Sequence, residues 1–127
     1  MPIKTLYNHD SQLIHTTCSG KTSQTELIDY HKTVWLEPGI SDYNELIDFS
    51  EADISSLSFS DINLITQAMP EFITYSSQSK LALLIDNFHQ GQKIGFYMSA
   101  RSNSDKPVRP MKDFTSMDKA LDWLLIH

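Results

Sequence analysis

The chain has one cysteine, Cys18, among its 127 residues, few glycines and a shortage of positive charge. One thiol excludes an intrachain disulfide and any zinc site built from cysteines. The fold must therefore stand on its core, and the lack of cysteine pairs fits a reducing cytoplasm. Ten Lys and Arg against 16 Asp and Glu give a formal net charge of −6, the wrong sign for general binding to nucleic acid or anionic membranes. Long apolar runs are missing as well. The longest aliphatic run, LALLI at 81–85, falls far short of the roughly 20 residues that a transmembrane helix needs. The N-terminal MPIKTLYNHD holds no apolar stretch of signal-peptide length. There is no P-loop, GxGxxG or GxSxG. His9, His15, His31, His89 and His127 are scattered with no metal-ligand spacing such as HxxxH. These absences predict a domain without catalysis, metal or cofactor.

What is present reads as one α/β domain over 1–127, a length that suits a single core. IKTLYN (3–8) and SQLIHTTC (11–18) read as two strands joined by a tight turn at His9-Asp10. Ser23 and Glu26 have capping-box spacing and open a helix whose apolar stripe is Leu27, Ile28, His31, Val34 and Trp35. Pro38-Gly39 ends it. A third strand follows at 43–50. A serine-rich loop then leads to a second helix, capped by Ser58 or Ser60, with Ile62, Ile65, Met69, Phe72 and Ile73 on its apolar face and a break expected at Pro70. KLALLIDN (80–87) reads as a strand buried on both faces. A third helix runs from Phe88 to Arg101, interrupted by Gly91 and Gly95. Residues 109–114 form an edge strand, since Pro110 cannot donate to a ladder. The last helix, capped by Thr115 and Asp118, carries Met117, Ala120, Leu121, Leu124 and Leu125 on one face. The order ββαβαβαβα predicts a mixed, mostly parallel five-stranded sheet with about four helices.

LIDFS on the third strand, KLALLIDN on the fourth, GFYMSAR on the third helix and KDFTSMDKALDWLL at the end together resemble the SpoIIAA-like (STAS/SEC14-type) family of small bacterial α/β domains. These are packing motifs, so they speak to fold more than to activity. The resemblance implies an interaction or regulatory module like the anti-sigma-factor antagonists, or a domain that binds a small apolar or lipid ligand. In the antagonists, the loop after the third strand carries Asp-Ser-(Ser/Thr)-Gly, whose serine accepts a phosphate. Here that loop reads SSLSFSD, without the Asp-Ser pair or the glycine. Ser56, Ser58 and Ser60 are the hydroxyls a kinase would reach, and helix capping accounts for Ser58 or Ser60 without one.

One polar cluster stands out by position. Asp86, Asn87 and His89 follow the central strand, where α/β sheets usually bind ligands, and Asp48 and Ser50 end the neighbouring strand. They are the candidate rim for a ligand or protein partner, with capping of the following helix as the simpler account. Arg101, Lys106 and Arg109 are expected to form a solvated basic loop, and Trp35 and Trp123 to pack in or near the core. Phe96, Tyr97 and Met98 make the third helix apolar on more than one side, the pattern of a helix that meets a second copy as a homodimer.

Overall fold

The computed structural model describes residues 3–68, 79–104 and 108–125. The strands are β1 (Ile3–Asn8), β2 (Leu13–Lys21), β3 (Asn44–Asp53), β4 (Leu81–Leu84) and β5 (Met111–Phe114). The helices are α1 (Gln24–Thr33), α2 (Phe59–Thr66), α3 (Phe88–Ser102) and α4 (Met117–Leu125). The sheet order is β1-β2-β3-β4-β5. β1 is antiparallel to β2, and every later pairing is parallel. The expected element order and mixed sheet are thus present.

Alternation along the strands separates two cores. Ile14, Cys18, Ile47, Phe49, Leu81, Leu83 and Ile85 point to one face and pack with Leu27 of α1, Ile62 and Ile65 of α2 and Ile94 of α3. Leu46, Ala82 and Leu84 point to the other and meet Ala120 and Leu124 of α4. β4 is buried at every position because helices cover both of its faces. Each buried Leu or Ile contributes about 1.5–3 kcal/mol relative to exposure.

The helix starts follow local chemistry. Ser23 accepts from Glu26 N at 3.2 Å while Ser23 N donates to the Glu26 carboxylate at 3.0 Å. Ser58, not Ser60, caps α2, and Asp61 completes a second capping box. Asn87 caps α3 by accepting from Gln90 N at 3.0 Å. At α4 the cap is Ser116, whose Oγ lies 3.4 Å from Lys119 N, rather than Thr115.

Four details differ from the sequence reading. The hairpin loop spans the four residues 9–12, because Asn8 pairs with Leu13 and Asn8 Oδ1 accepts from Ser11 N. α1 gives way to a 3₁₀ turn at Val34–Leu36 before Pro38, and Gly39 adopts φ 79 in the turn that follows. α3 runs unbroken through Gly91 and Gly95. Leu125 is 63% exposed, off the buried face of α4. Met69, Pro70, Phe72, Ile73, Lys106 and His127 lie outside the described residues.

Candidate functional site

The C-terminal edge of the sheet is where the polar side chains gather. β3 outruns β4: Asp48 pairs with Leu84, yet β3 continues to Asp53. The backbone exposed by this overhang is met by α3. Gln90 Nε2 donates to Phe49 O at 2.8 Å and Ala52 O at 2.9 Å, and its Oε1 accepts from Asp86 N at 2.7 Å. One buried amide thus ties the end of β3, the end of β4 and the start of α3.

Lys93, one turn further along α3, holds the loop between β3 and α2. Its Nζ donates to Ile54 O and Ser55 O, both at 3.0 Å, and to Leu57 O. Ahead of this loop, Asp53 Oδ1 accepts from Ser55 N at 3.0 Å and Ser55 Oγ at 2.6 Å. These two bonds, the side-chain one first, hold the Asp53 carboxyl below its ordinary range. Ser58 and Asp61 secure the loop's far end. A five-residue loop is thereby fixed at three places, with Ser55 and Ser56 exposed.

Two grooves flank the first turn of α3. One, of about 240 Å³, is lined by Ala52–Ser55, Asn87, His89, Gln90 and Lys93. The other, of about 490 Å³, lies between Ile85–Phe88, Gly91, Gln92, Asp113 and Thr115. Asp86, Asn87 and His89 therefore stand together on this rim. Asp48 and Ser50 line neither groove. β3 ends three residues later than the sequence reading allowed, and a register shift sets Phe49 and Ser50 opposite Cys18. Asp48 there accepts from Ser50 N at 2.8 Å and Ser50 Oγ at 2.6 Å, on the strand face that carries Leu46 and Leu84. All three serines, Ser56, Ser58 and Ser60, are exposed, and Ser58 is occupied as a cap.

A second polar assembly lies inside the molecule. Glu45, 3% exposed, is paired with Arg109, whose guanidinium stacks 4.9 Å over Trp35. Tyr30 donates to the other Glu45 oxygen and is linked through Thr16 to Thr5. Burial, then the Glu45 charge, pushes the Tyr30 hydroxyl well above its ordinary range. His31 lies beside this group. Its Nδ1 is 2.8 Å from Leu27 O, so it carries the proton, and Nε2 accepts from Tyr97 OH at 2.8 Å. Arg101, 3% exposed, donates to Thr66 O. The expected basic loop is therefore corrected: Arg101 and Arg109 are turned inward, because an acid and carbonyl acceptors await them there. Among the described residues, no group of His, Cys, Asp and Glu is arranged to hold a metal ion.

Beneath the three helices lies an apolar cavity of about 30 Å³ between Leu27, Phe49, Leu57, Ile65 and Tyr97. That is room for about one water, far below the roughly 300–1,000 Å³ of ligand pockets. Among the described residues, no helix is long and apolar enough to cross a membrane.

The sequence reading missed Gln90, Lys93 and Asp53, which build the rim, because their partners are mostly backbone carbonyls distant in sequence. It also missed Glu45 as the partner of Arg109. A carboxylate inside an otherwise apolar strand, NELIDF, was the available signal.

No family model and no curated protein matches the chain. Among solved structures, it is similar to an uncharacterised protein of the DUF3478 family with a SpoIIAA-like fold from Shewanella loihica PV-4. The match covers 96% of this chain and 91% of that one, with 19% identity and a TM-score of 0.55. The fold of this chain is SpoIIAA-like.

Proposed function

We propose that this chain is a non-enzymatic interaction or regulatory domain, acting in the cytoplasm, that engages a protein partner with the rim of loop 54–58 and the first turn of α3. The observation that carries this reading is the Lys93 ammonium seated among three loop carbonyls. A loop held from beneath needs little ordering on contact, which is what a protein-binding surface gains from pre-organisation. Phe88, 75% exposed, and His89 stand beside it as a contact pair, with ring centroids 6.3 Å apart. Catalysis is a poorer fit, since Lys93 and Asp53 are committed to holding the loop. The departure of SSLSFSD from the antagonists' phosphoserine motif favours constitutive recognition over a phosphate switch.

A second reading, a small-molecule site, is favoured by the groove of about 490 Å³ beside Phe88. The small internal cavity argues against a buried acyl chain.

Native mass spectrometry of the protein purified from its own host tests the choice. The interaction reading expects a stoichiometric protein partner that is lost in a Phe88→Ala variant of unchanged fold. A small molecule at stoichiometric mass, with no protein attached, overturns it.

A further inference from the structure

We propose that α2 and α3 form a self-recognition face through which two copies of the chain associate. This deepens the interaction reading by naming a partner for a surface next to the rim. Beyond Phe88, which belongs to the rim, three large apolar side chains are exposed on these two helices: Phe59 (54%), Leu64 (51%) and Phe96 (38%). Phe59 and Phe96 touch across the helix pair, with ring centroids 4.9 Å apart. The polar residues exposed around them are Ser60, Asn63, Gln67, Gln92 and Ser99, all uncharged.

The scarcity of charge on these helices is the stronger observation. α2 contains one acid, Asp61, and α3, besides His89 at the rim, two bases, Lys93 and Arg101. All three are engaged within the molecule, with Asp61 and Lys93 part-exposed and Arg101 buried. Asp61 Oδ2 accepts from Ser58 N at 2.9 Å, Lys93 is held by the loop carbonyls, and Arg101 is 3% exposed. By contrast, α4 carries Asp118, Lys119 and Asp122, all exposed. Aromatic residues with charge removed is the composition of an interface centre rather than of general surface.

The same chemistry selects a second copy as the occupant. Two molecules of net charge −6 repel each other, and least so where both present little charge. A partner recognised by its charge would find little counter-charge here. Amide and hydroxyl side chains both donate and accept, so Asn63, Gln67 and Gln92 can pair with a copy of their own surface. A two-fold axis does this, placing the same patch on both sides. The footprint is small. Two adjacent helices, the longer about 22 Å, give a flat area of roughly 450 Å² per copy. That is below the ~800 Å² per partner of a standard interface, so a weak, concentration-dependent dimer is expected.

Sedimentation equilibrium of the purified full chain, from about 10 to 500 µM, reads this directly. A monomer–dimer equilibrium is expected. Gln92→Glu places a charge at an exposed position of α3, and Phe96→Asp places one at the aromatic pair. Each is expected to weaken association about tenfold or more, through like charges facing across the axis. A monomer throughout that range overturns the proposal, as does a dimer that both variants leave unchanged. Either result leaves the rim reading standing, because that is decided by the host partner and Phe88→Ala.

Discussion

Glu45 at the start of β3 and Arg109 just ahead of β5 form an ion pair with side chains 3% and 5% exposed. It joins a central strand to the edge strand beyond β4. Tyr30, Ser79 and Trp35 complete the surroundings: Tyr30 donates to Glu45, Arg109 donates to Ser79 Oγ, and the guanidinium lies over the Trp35 ring. The pair therefore closes one end of the α1–α3 face of the sheet.

Breaking one side of this pair should cost more than removing both. Arg109→Met leaves a carboxylate buried without its cation, a change that costs about 3–5 kcal/mol. Adding Glu45→Gln removes the stranded charge and keeps an acceptor for Tyr30, so the double variant should recover much of the loss. Urea unfolding of the two single variants and the double checks this. Additive losses would mean that the residues do not act as a pair.

His31 should make stability depend on pH in the neutral range. Burial lowers its pKa below the ordinary 6.5, a shift reinforced by Arg101 and Arg109 and opposed by Glu45 and the Leu27 carbonyl. The unfolded chain then binds a proton more readily than the folded one as pH falls through 6.5. The contribution of neutral His31 is fully present above that pH and is lost as pH drops towards the depressed folded value. His31→Gln, which retains an acceptor for Tyr97, should flatten the wild-type decline in stability between about pH 7 and 5. An unchanged slope would assign the decline to other groups.

The two helical glycines of α3 should respond differently to alanine. A Cβ at Gly95 meets nothing within 4 Å, whereas one at Gly91 comes 3.3 Å from Ile85 Cδ1. Gly95→Ala should therefore stabilise by about 0.5–1 kcal/mol, through helix propensity and a less flexible unfolded chain. At Gly91 the same gain is offset by the crowding of Ile85, so Gly91→Ala should stabilise less. Thermal melts of the two variants give the order, and a reversed order would contradict this packing.

How much of this was legible in sequence depended on the range of the interactions. Ser23–Glu26, Ser58–Asp61 and Asn87–Gln90 are contacts within one turn, and residue spacing alone announced the helices they open. The buried β4 was equally plain from LALLI. Glu45 and Arg109 are 64 residues apart, and Lys93 reaches carbonyls 36 to 39 residues away. Nothing local distinguishes such a lysine from a solvated one. Asp48 was placed on the rim because the overhang of β3 beyond β4 depends on Gln90, a side chain on another element. The low charge of α2 and α3 is a property of the sequence, but only the contact of Phe59 with Phe96 sets the two helices on one shared face.

Cys18 should be inert until the molecule opens. It is fully buried, and its thiol is pushed up to about 12, first by burial and then by the Asp48 and Glu26 charges. At pH 8 the thiolate, the reactive form, is then only about one in ten thousand of the population. Labelling by a thiol reagent should be very slow in the native protein and prompt in urea. The native labelling rate then measures how often the β2–β3 core opens. Arg109→Met should raise it about tenfold for each 1.4 kcal/mol of stability lost, provided that the opening exposing Cys18 is global. A rate indifferent to Arg109→Met would place the opening in a local movement of β1 and β2, leaving the Glu45–Arg109 end of the sheet closed.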